Sequence, residues 1–427
     1  MRRLAAALGA PARRRARPEA SFRPESGSKL LHSICRTLSW PWRFSRFSLH
    51  DPRRQCTIPR MKTRTISLLV FLAVILAGGS VRPQRSIPPA MRNPQKAFGG
   101  ALVNAGPSSI ERLDPAVDQL VPANAKITRV ATGFNWTEGP VWIPAGYLMF
   151  ADIRNNRIMK WVPGQSATVF MHPSGYLGTK PYPGPESGSN GMTLDPRGRL
   201  TVAGHAQRDV WRLESLSPTA TRTILADKYL GKRLNSPNDL VYGPHGALYF
   251  TDPPYGLPTQ GDHDPLKQLR VNGVYRILDA VSHPPGAPPD EGKLQLLISN
   301  LPRPNGIAFS PGMKYLYVNN SEPQKIWMRY RVNPDGTLSG GTLFYDATSD
   351  TAPGAPDGMK IDVRGDIYSA GPGGVWIFSP QGKHLGTFHL PERVGNLAWG
   401  GPGYRTLYIT ADTSVYRIRL NVRGIRP

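Results

Sequence analysis

A turn followed by a hydrophobic strand recurs six times along this chain, and a repeat of that kind limits the possible folds more than any average property does. The copies read WIPAGYLMFAD (142–152), LDPRGRLTVAGH (194–205), YGPHGALYFTD (242–252), FSPGMKYLYVNN (309–320), IDVRGDIYSAG (361–371) and WGGPGYRTLYIT (399–410). Each is followed by a short aromatic and β-branched run: RIMKW, VWRL, GVYRI, IWMRY, GVWIF and SVYRI. Period-two alternation between Gly or Pro turns marks both runs as antiparallel strands. A third, outer strand follows in five copies, as ATVFMH, RTILAD, LQLLIS, TLFYDA and GTFHLP, and the sixth copy lacks one. The orphan strand KITRVATG (126–133) precedes the first copy and is free to pair with the last, which would hide sheet edges that otherwise invite aggregation. The expected fold is all-β: a six-bladed β-propeller of four-stranded antiparallel blades over 126–420, closed by an N-terminal strand, with 421–427 as a tail. An open β-solenoid is the competing architecture for the same repeat.

Just ahead of each turn lies the innermost strand of the copy. These strands open as EGPVW (138–142), NGMTLD (190–195), PNDLVY (237–242), PNGIAF (304–309), PDGMKI (356–361) and GNLAW (395–399). In register, they put Glu138, Asn190, Asn238, Asn305, Asp357 and Asn396 at one equivalent position. The innermost strands of a propeller line its central channel, so the six side chains are expected to converge there. For a single copy, a short polar residue before a strand is a turn former that bonds the local backbone. Six copies weaken that account, and Glu is a poor turn residue. An ion-free wet channel is the other alternative, but two carboxylates on one axis repel and resist desolvation unless a cation neutralises them. Carboxylate and amide oxygens without sulfur suit a hard divalent cation such as Ca²⁺, Mg²⁺ or Mn²⁺; the expected cofactor is one divalent ion, Ca²⁺ first, with Mg²⁺, Mn²⁺ or the softer Zn²⁺ as alternatives.

The formal charge of +24 resembles a nucleic-acid signal until it is mapped along the sequence. Residues 1–64 carry 16 of the 53 Lys and Arg and 3 of the 29 acids, leaving 37 basic and 26 acidic residues, a modest +11, for the rest. Without a basic stripe or a recognised motif there, nucleic acid is not an expected partner. Both cysteines, Cys35 and Cys56, lie in the same leader, so no disulfide framework or thiolate metal site is possible after residue 56. From Met61 the chain has a short basic stretch, the apolar run Ile66–Ala77 and then small residues, the layout of a secretory signal peptide. That run is short for a bilayer span, which needs about 20 residues, so no stable membrane anchor is expected. The resulting division is a basic leader over 1–60, a signal peptide over 61–80 and a linker or strap over 81–125, with a periplasmic or secreted destination. Translation beginning at Met61 and an Arg-rich organelle transit peptide are the two readings of the leader.

Taken together, EGPVW, NGMTLD, LNSPNDL, FTDPPYG, PNGIAFS, PDGMKID and TSVYRI give residues 127–420 a resemblance to the gluconolactonase, regucalcin (senescence marker protein) and LRE-like or diisopropyl-fluorophosphatase-like propellers, most of all to bacterial gluconolactonases. The resemblance implies metal ligation by Glu138, Asn305 and Asp357, with Asn238 in or beside the metal shell and touching substrate. It further implies hydrolysis of a sugar lactone, with the metal polarising the carbonyl and a carboxylate, Asp357 or else Glu138, activating water. Asn238, Asn190, His205 and Asn396 are the expected substrate contacts. Some relatives carry Arg where this chain has Ser236, so contacts made by that Arg do not transfer. Another lactonase or phosphotriesterase activity on the same site, and a non-catalytic ligand-binding propeller, are the functional alternatives. Asp252 and Tyr255 are candidates for the pocket rim, and the loop 255–272 and insert 281–292 for lids, with plain turns and surface loops as the alternatives.

Overall fold

The structure, a computed structural model, describes residues 107–427. The basic leader, the expected signal peptide, both cysteines and the strap up to residue 106 lie outside them. Six antiparallel blade sheets follow one another along the described chain, five of four strands and one, blade 5, of five. Blade 1 is built from Thr137–Ile143, Tyr147–Asp152, Arg157–Trp161 and Thr168–Met171. Blades 2 to 5 repeat the order with inner strands Met192–Leu194, Leu240–Tyr242, Pro304–Phe309 and Met359–Ile361. Blade 6 contains Val394–Gly400, Thr406–Ala411 and Ser414–Arg419. Its outer strand is Thr128–Thr132, which pairs with Ser414–Arg419 with Thr128 opposite Arg417 and Thr132 opposite Ser414.

The strands take this form because each blade is covered on both faces by its neighbours. Tyr147–Asp152 is buried along almost its whole length, where a one-sided sheet would alternate between buried and exposed. The core is a series of seams. Trp142, Leu148 and Phe150 of blade 1 pack on Ala398, Tyr408 and Val415 of blade 6, and the Trp142 and Tyr408 rings stack at 5.2 Å. Ala247, Tyr249 and Val274 of blade 3 meet Ile307, Leu316 and Val318 of blade 4 in the same way. Each Val, Leu, Ile or Phe among them contributes about 1.5–3 kcal/mol by leaving water.

The strap, expected to be irregular, contains a strand within its described part. Ser109–Arg112 pairs with His384–His389 and gives blade 5 a fifth strand. After it, a short 3-10 turn, Pro115–Gln119, buries Val117, with Leu120 and Val121 following it into the core shared by blades 5 and 6. The tail is also held: Gly424 bridges Asp362, and the Ile425 amide donates to the Ile361 carbonyl at 3.1 Å. Among the described residues no helix is long and apolar enough to cross a membrane.

Candidate active site

The register of each blade fixes what its inner strand offers to the axis. Trp142, Leu194, Tyr242, Phe309, Ile361 and Trp399 pair with the equivalent second-strand residues Leu148, Leu200, Leu248, Leu316, Ile367 and Leu407. Four residues upstream stand Glu138, Asn190, Asn238, Asn305 and Asp357 in the first five blades, and Gly395 in the sixth. Asn396, expected at the same position, therefore does not share it. It lies one residue further in, level with Asp239, and the two make the same bonds: the amides of Asp239 and Asn396 donate to the hydroxyls of Thr251 and Thr410, each at 3.2 Å. The reason is steric. A Cβ on residue 395 would sit 2.6 Å from Glu138 Oε1, so blade 6 gives up a side chain where Glu138 needs room.

Contacts between neighbouring inner strands run round the ring at this level. A Cβ on Gly139 would lie 2.1 Å from the Asn190 carbonyl oxygen. The Gly191 amide donates to the Asn238 carbonyl at 2.7 Å, and the Thr251 hydroxyl of blade 3 donates to the Asn305 carbonyl at 2.8 Å. Asn319 Nδ2 donates to the Asp357 carbonyl at 2.5 Å, and the Gly358 amide to the Gly395 carbonyl at 2.8 Å. Five of the expected residues thus gather at one mouth, with Asn396 just below.

Their electrostatics are strained. Glu138 is buried, accepts a bond from the Gly139 amide at 2.9 Å, and has its carboxyl pushed up, first by burial and then by the charge of Asp239. Asp357 keeps partial exposure at the mouth, and its carboxyl is held well above the usual carboxylate range by burial and then by Glu138. The oxygens around them are underused. Asn305 Nδ2 donates to the Ser321 hydroxyl at 3.1 Å, which fixes the amide and leaves Oδ1 without a hydrogen-bond partner. Asn190 Oδ1 and Asp239 Oδ2 are buried without one as well. No group of three or more His, Cys, Asp or Glu arranged for a metal occurs among the described residues, so a cation here would depend on amide as well as carboxylate oxygens. Orphaned buried oxygens beside mutually repelling carboxylates are the donor set that a hard divalent cation fits.

Three side chains complete the floor and wall. Asp239, which the sequence reading passed over, is a third carboxylate, 1% exposed. Lys360 Nζ donates to Asn396 Oδ1 at 3.3 Å and lies 3.8 Å from Asp239 Oδ2, placing a fixed positive charge inside the channel. Glu186, also passed over, comes from the long connection before Asn190, and its charge is one of those acting on Glu138. Asp239 had a signal, since it replaces the Gly that follows the polar residue in blades 1, 2, 4 and 5. Glu186 had none beyond being an acid in a Pro, Gly and Ser-rich loop.

His205 lies at the mouth end of its strand but is fully buried. Its Nε2 faces Glu186 Oε2 at 2.9 Å and its Nδ1 faces the Pro237 carbonyl at 3.3 Å, so both ring nitrogens are engaged. Asp252 is a turn former that accepts from the Asn235 and Ser236 amides, each at 2.8 Å, while burial pushes its carboxyl up to about 7. Tyr255 is buried near Ser321 and Asp357 at the rim. The loop 255–272 leaves a second strand at the mouth end, as a rim element must. The insert 281–292 leaves a third strand at the opposite end, where Arg199 bonds the Val281 carbonyl at 2.6 Å and Arg212 the His283 carbonyl at 2.8 Å, so it is no lid for this mouth. Successive antiparallel strands alternate ends, and that parity separates the two loops. At the opposite end the channel opens into a cavity of about 430 Å³ walled by Trp142, Leu194, Tyr242, Phe309, Ile361 and Trp399. Its lining is mostly apolar, with Thr193, Ser310, Lys360 and Arg426 among it and no Asp, Glu or His, so the carboxylate mouth is the candidate site.

The model of the SMP-30/gluconolactonase/LRE-like region matches residues 136–413. The chain belongs to that family. A gluconolactonase of Zymomonas mobilis is 36% identical over 327 residues, covering 74% of this chain and 87% of that protein. A pentonolactonase of Haloferax volcanii is 26% identical over 294 residues, covering 66% of this chain and 84% of its own length. Among solved structures, a gluconolactonase of Xanthomonas campestris superposes with a TM-score of 0.61 at 28% identity, covering 74% of this chain and 98% of that one. The family match spans all six polar positions, Glu138 to Asn396, so family membership and the converging mouth concern the same residues.

Proposed function

We propose that this protein hydrolyses a sugar lactone at the carboxylate mouth of its channel, with one divalent cation, Ca²⁺ by preference, held by Glu138, Asn305 and Asp357 and flanked by Asn238. The observation that carries this is the pairing of the raised carboxyls of Glu138 and Asp357 with the unpartnered Oδ1 atoms of Asn190 and Asn305, in a chain whose relatives include lactonases. Charge also supports a cation: the carboxylates of Glu138, Asp239, Asp357 and Glu186 outnumber the ammonium of Lys360, and a bound cation offsets the excess.

When bound, the cation supplies Lewis-acid polarisation of the lactone carbonyl. The chain supplies the rest. Asp357, the more exposed of the two acids, takes a proton from the attacking water; Glu138, deeper and tied to the Gly139 amide, keeps its place. Water adds to the carbonyl carbon, the ring C–O bond breaks, and the proton passes to the departing alkoxide, giving the open hydroxy acid. Asn238 and Asn190 orient the sugar hydroxyls from the adjoining blades. Export to the periplasm or beyond, through the signal-peptide pattern at 61–80, belongs to the same reading; an N-terminus near residue 80 on the native protein would support it.

The test is gluconolactone hydrolysis followed by proton release. The wild type should turn over and lose activity to a chelator, with Ca²⁺ restoring it, and Asp357→Asn should keep its melting temperature while kcat falls by about a hundredfold or more. Normal turnover in that variant removes the assignment. Hydrolysis of an organophosphate in place of lactones would move the protein to the other activity of this site.

A further inference from the structure

Glu186 and His205 form a built pair that the hydrolytic scheme does not use. Glu186 lies on the connection between Thr168–Met171 and the inner strand of blade 2, four residues before Asn190. Several ties hold this connection against the mouth. The Tyr182 hydroxyl donates to the Gly256 carbonyl, Tyr182 packs on Tyr176 at 5.0 Å, and the Ala206 amide donates to the Gly188 carbonyl at 3.3 Å. Beneath it His205 is fully enclosed; even a Cβ on Gly256 would come within 2.8 Å of the imidazole. The ring holds Glu186 Oε2 on one side and the carbonyl of Pro237, which precedes Asn238, on the other. No hydrogen bond engages Glu186 Oε1 among the described residues, and Glu186 retains slight exposure. A carboxylate held by one oxygen, with the other free at the mouth of a site, is arranged to accept from a ligand hydroxyl.

We propose that Glu186 is a specificity-determining residue whose free carboxylate oxygen accepts a hydrogen bond from a hydroxyl of a polyhydroxylated lactone, and that His205 is a positioning residue acting through it. The proposal rests on the lactonase reading and narrows it, since a pocket built to bond a hydroxyl disfavours lactones without one. Its place is the wall between blades 1 and 3. The hydroxyl therefore belongs to the sugar ring and not to the attacked carbonyl.

The test compares D-glucono-δ-lactone with unsubstituted δ-valerolactone. In Glu186→Gln, KM for the polyol should rise at least tenfold, by a factor at least five times larger than for valerolactone. His205→Ala should reproduce the split, and His205→Gln, which retains a donor, should recover part of it. Equal losses on both lactones, or no loss on either, overturn the proposal. If Glu186→Gln does not fold, Glu186→Asp, which shortens the reach, takes its place under the same criterion. If the wild type hydrolyses neither lactone, the lactonase reading has failed separately. Calorimetric binding of gluconate then decides: at least tenfold weaker binding in the variant supports the Glu186 assignment, and equal binding or none in both proteins removes it.

Discussion

Asp362 and Asp366, at the far end of blade 5 from the mouth, show why a raised carboxyl alone does not identify a site. Asp362 Oδ1 accepts from the amides of Arg364 and Asp366 at 2.8 and 3.0 Å, and its Oδ2 accepts from the Tyr368 hydroxyl at 3.3 Å. Both oxygens are used, whereas Asn190, Asn305 and Asp239 at the mouth each keep a buried oxygen without a partner. Burial, then the charge of Asp366, pushes the Asp362 carboxyl up from 3.8 to about 7. The folded state thus holds this proton more tightly than the unfolded chain. The resulting stability is complete below about pH 4 and is lost as pH rises through 7. Asp366→Asn removes the like charge, so its stability advantage over the wild type should be near zero at pH 4 and grow to about 1 kcal/mol at pH 8 in denaturant melts. An advantage that did not change with pH would show that the two carboxylates do not interact. The polar positions of blades 1, 2, 4 and 5 were legible in the sequence because the polar residue and its Gly neighbour repeat together. Asp239 showed only as the departure from that repeat, and Glu186 reaches the site by a loop path that no local pattern encodes.

At the level of elements, strand alternation and turn chemistry are local, and they gave all six blades. What they could not give was register to within one residue in blade 6, where Gly395 yields to Glu138 from the neighbouring blade. The strand within the strap, Ser109–Arg112, was missed for a related reason. SIER at 109–112 is short and mostly exposed, and becomes a strand only because the edge of blade 5 is there to receive it. Its energetic weight lies just beyond, in Val117, Leu120 and Val121, all nearly or fully buried. A chain starting at residue 124 should melt at a lower temperature, because it lacks three aliphatic side chains whose burial contributes about 1.5–3 kcal/mol each. A chain starting at residue 134 lacks the outer strand of blade 6 as well, bares the Ser414–Arg419 edge, and should aggregate where the first does not. Light scattering during thermal melts checks both. Equal behaviour of the two would mean that Thr128–Thr132 protects nothing.

Across the whole molecule, one register produces two unlike ends. The residues that open the inner strands make a polar, charged mouth; those four places on make an apolar cavity; and Lys360 stands between them against Asp239 and Asn396. This polarity was half legible in advance. The converging polar positions could be named from the repeat, but the fixed ammonium could not, because a single Lys in PDGMKI looks like any exposed strand residue until the channel closes around it. The account stands on the idea that Glu138, Asn305 and Asp357, distant in sequence, share one cation at that mouth. Titration of chelator-stripped protein with Ca²⁺ by calorimetry tests this most directly. The account predicts one ion per chain, with binding weakened at least tenfold in both Asn305→Ala and Glu138→Gln. A titration without heat, or an affinity indifferent to both substitutions, would contradict it.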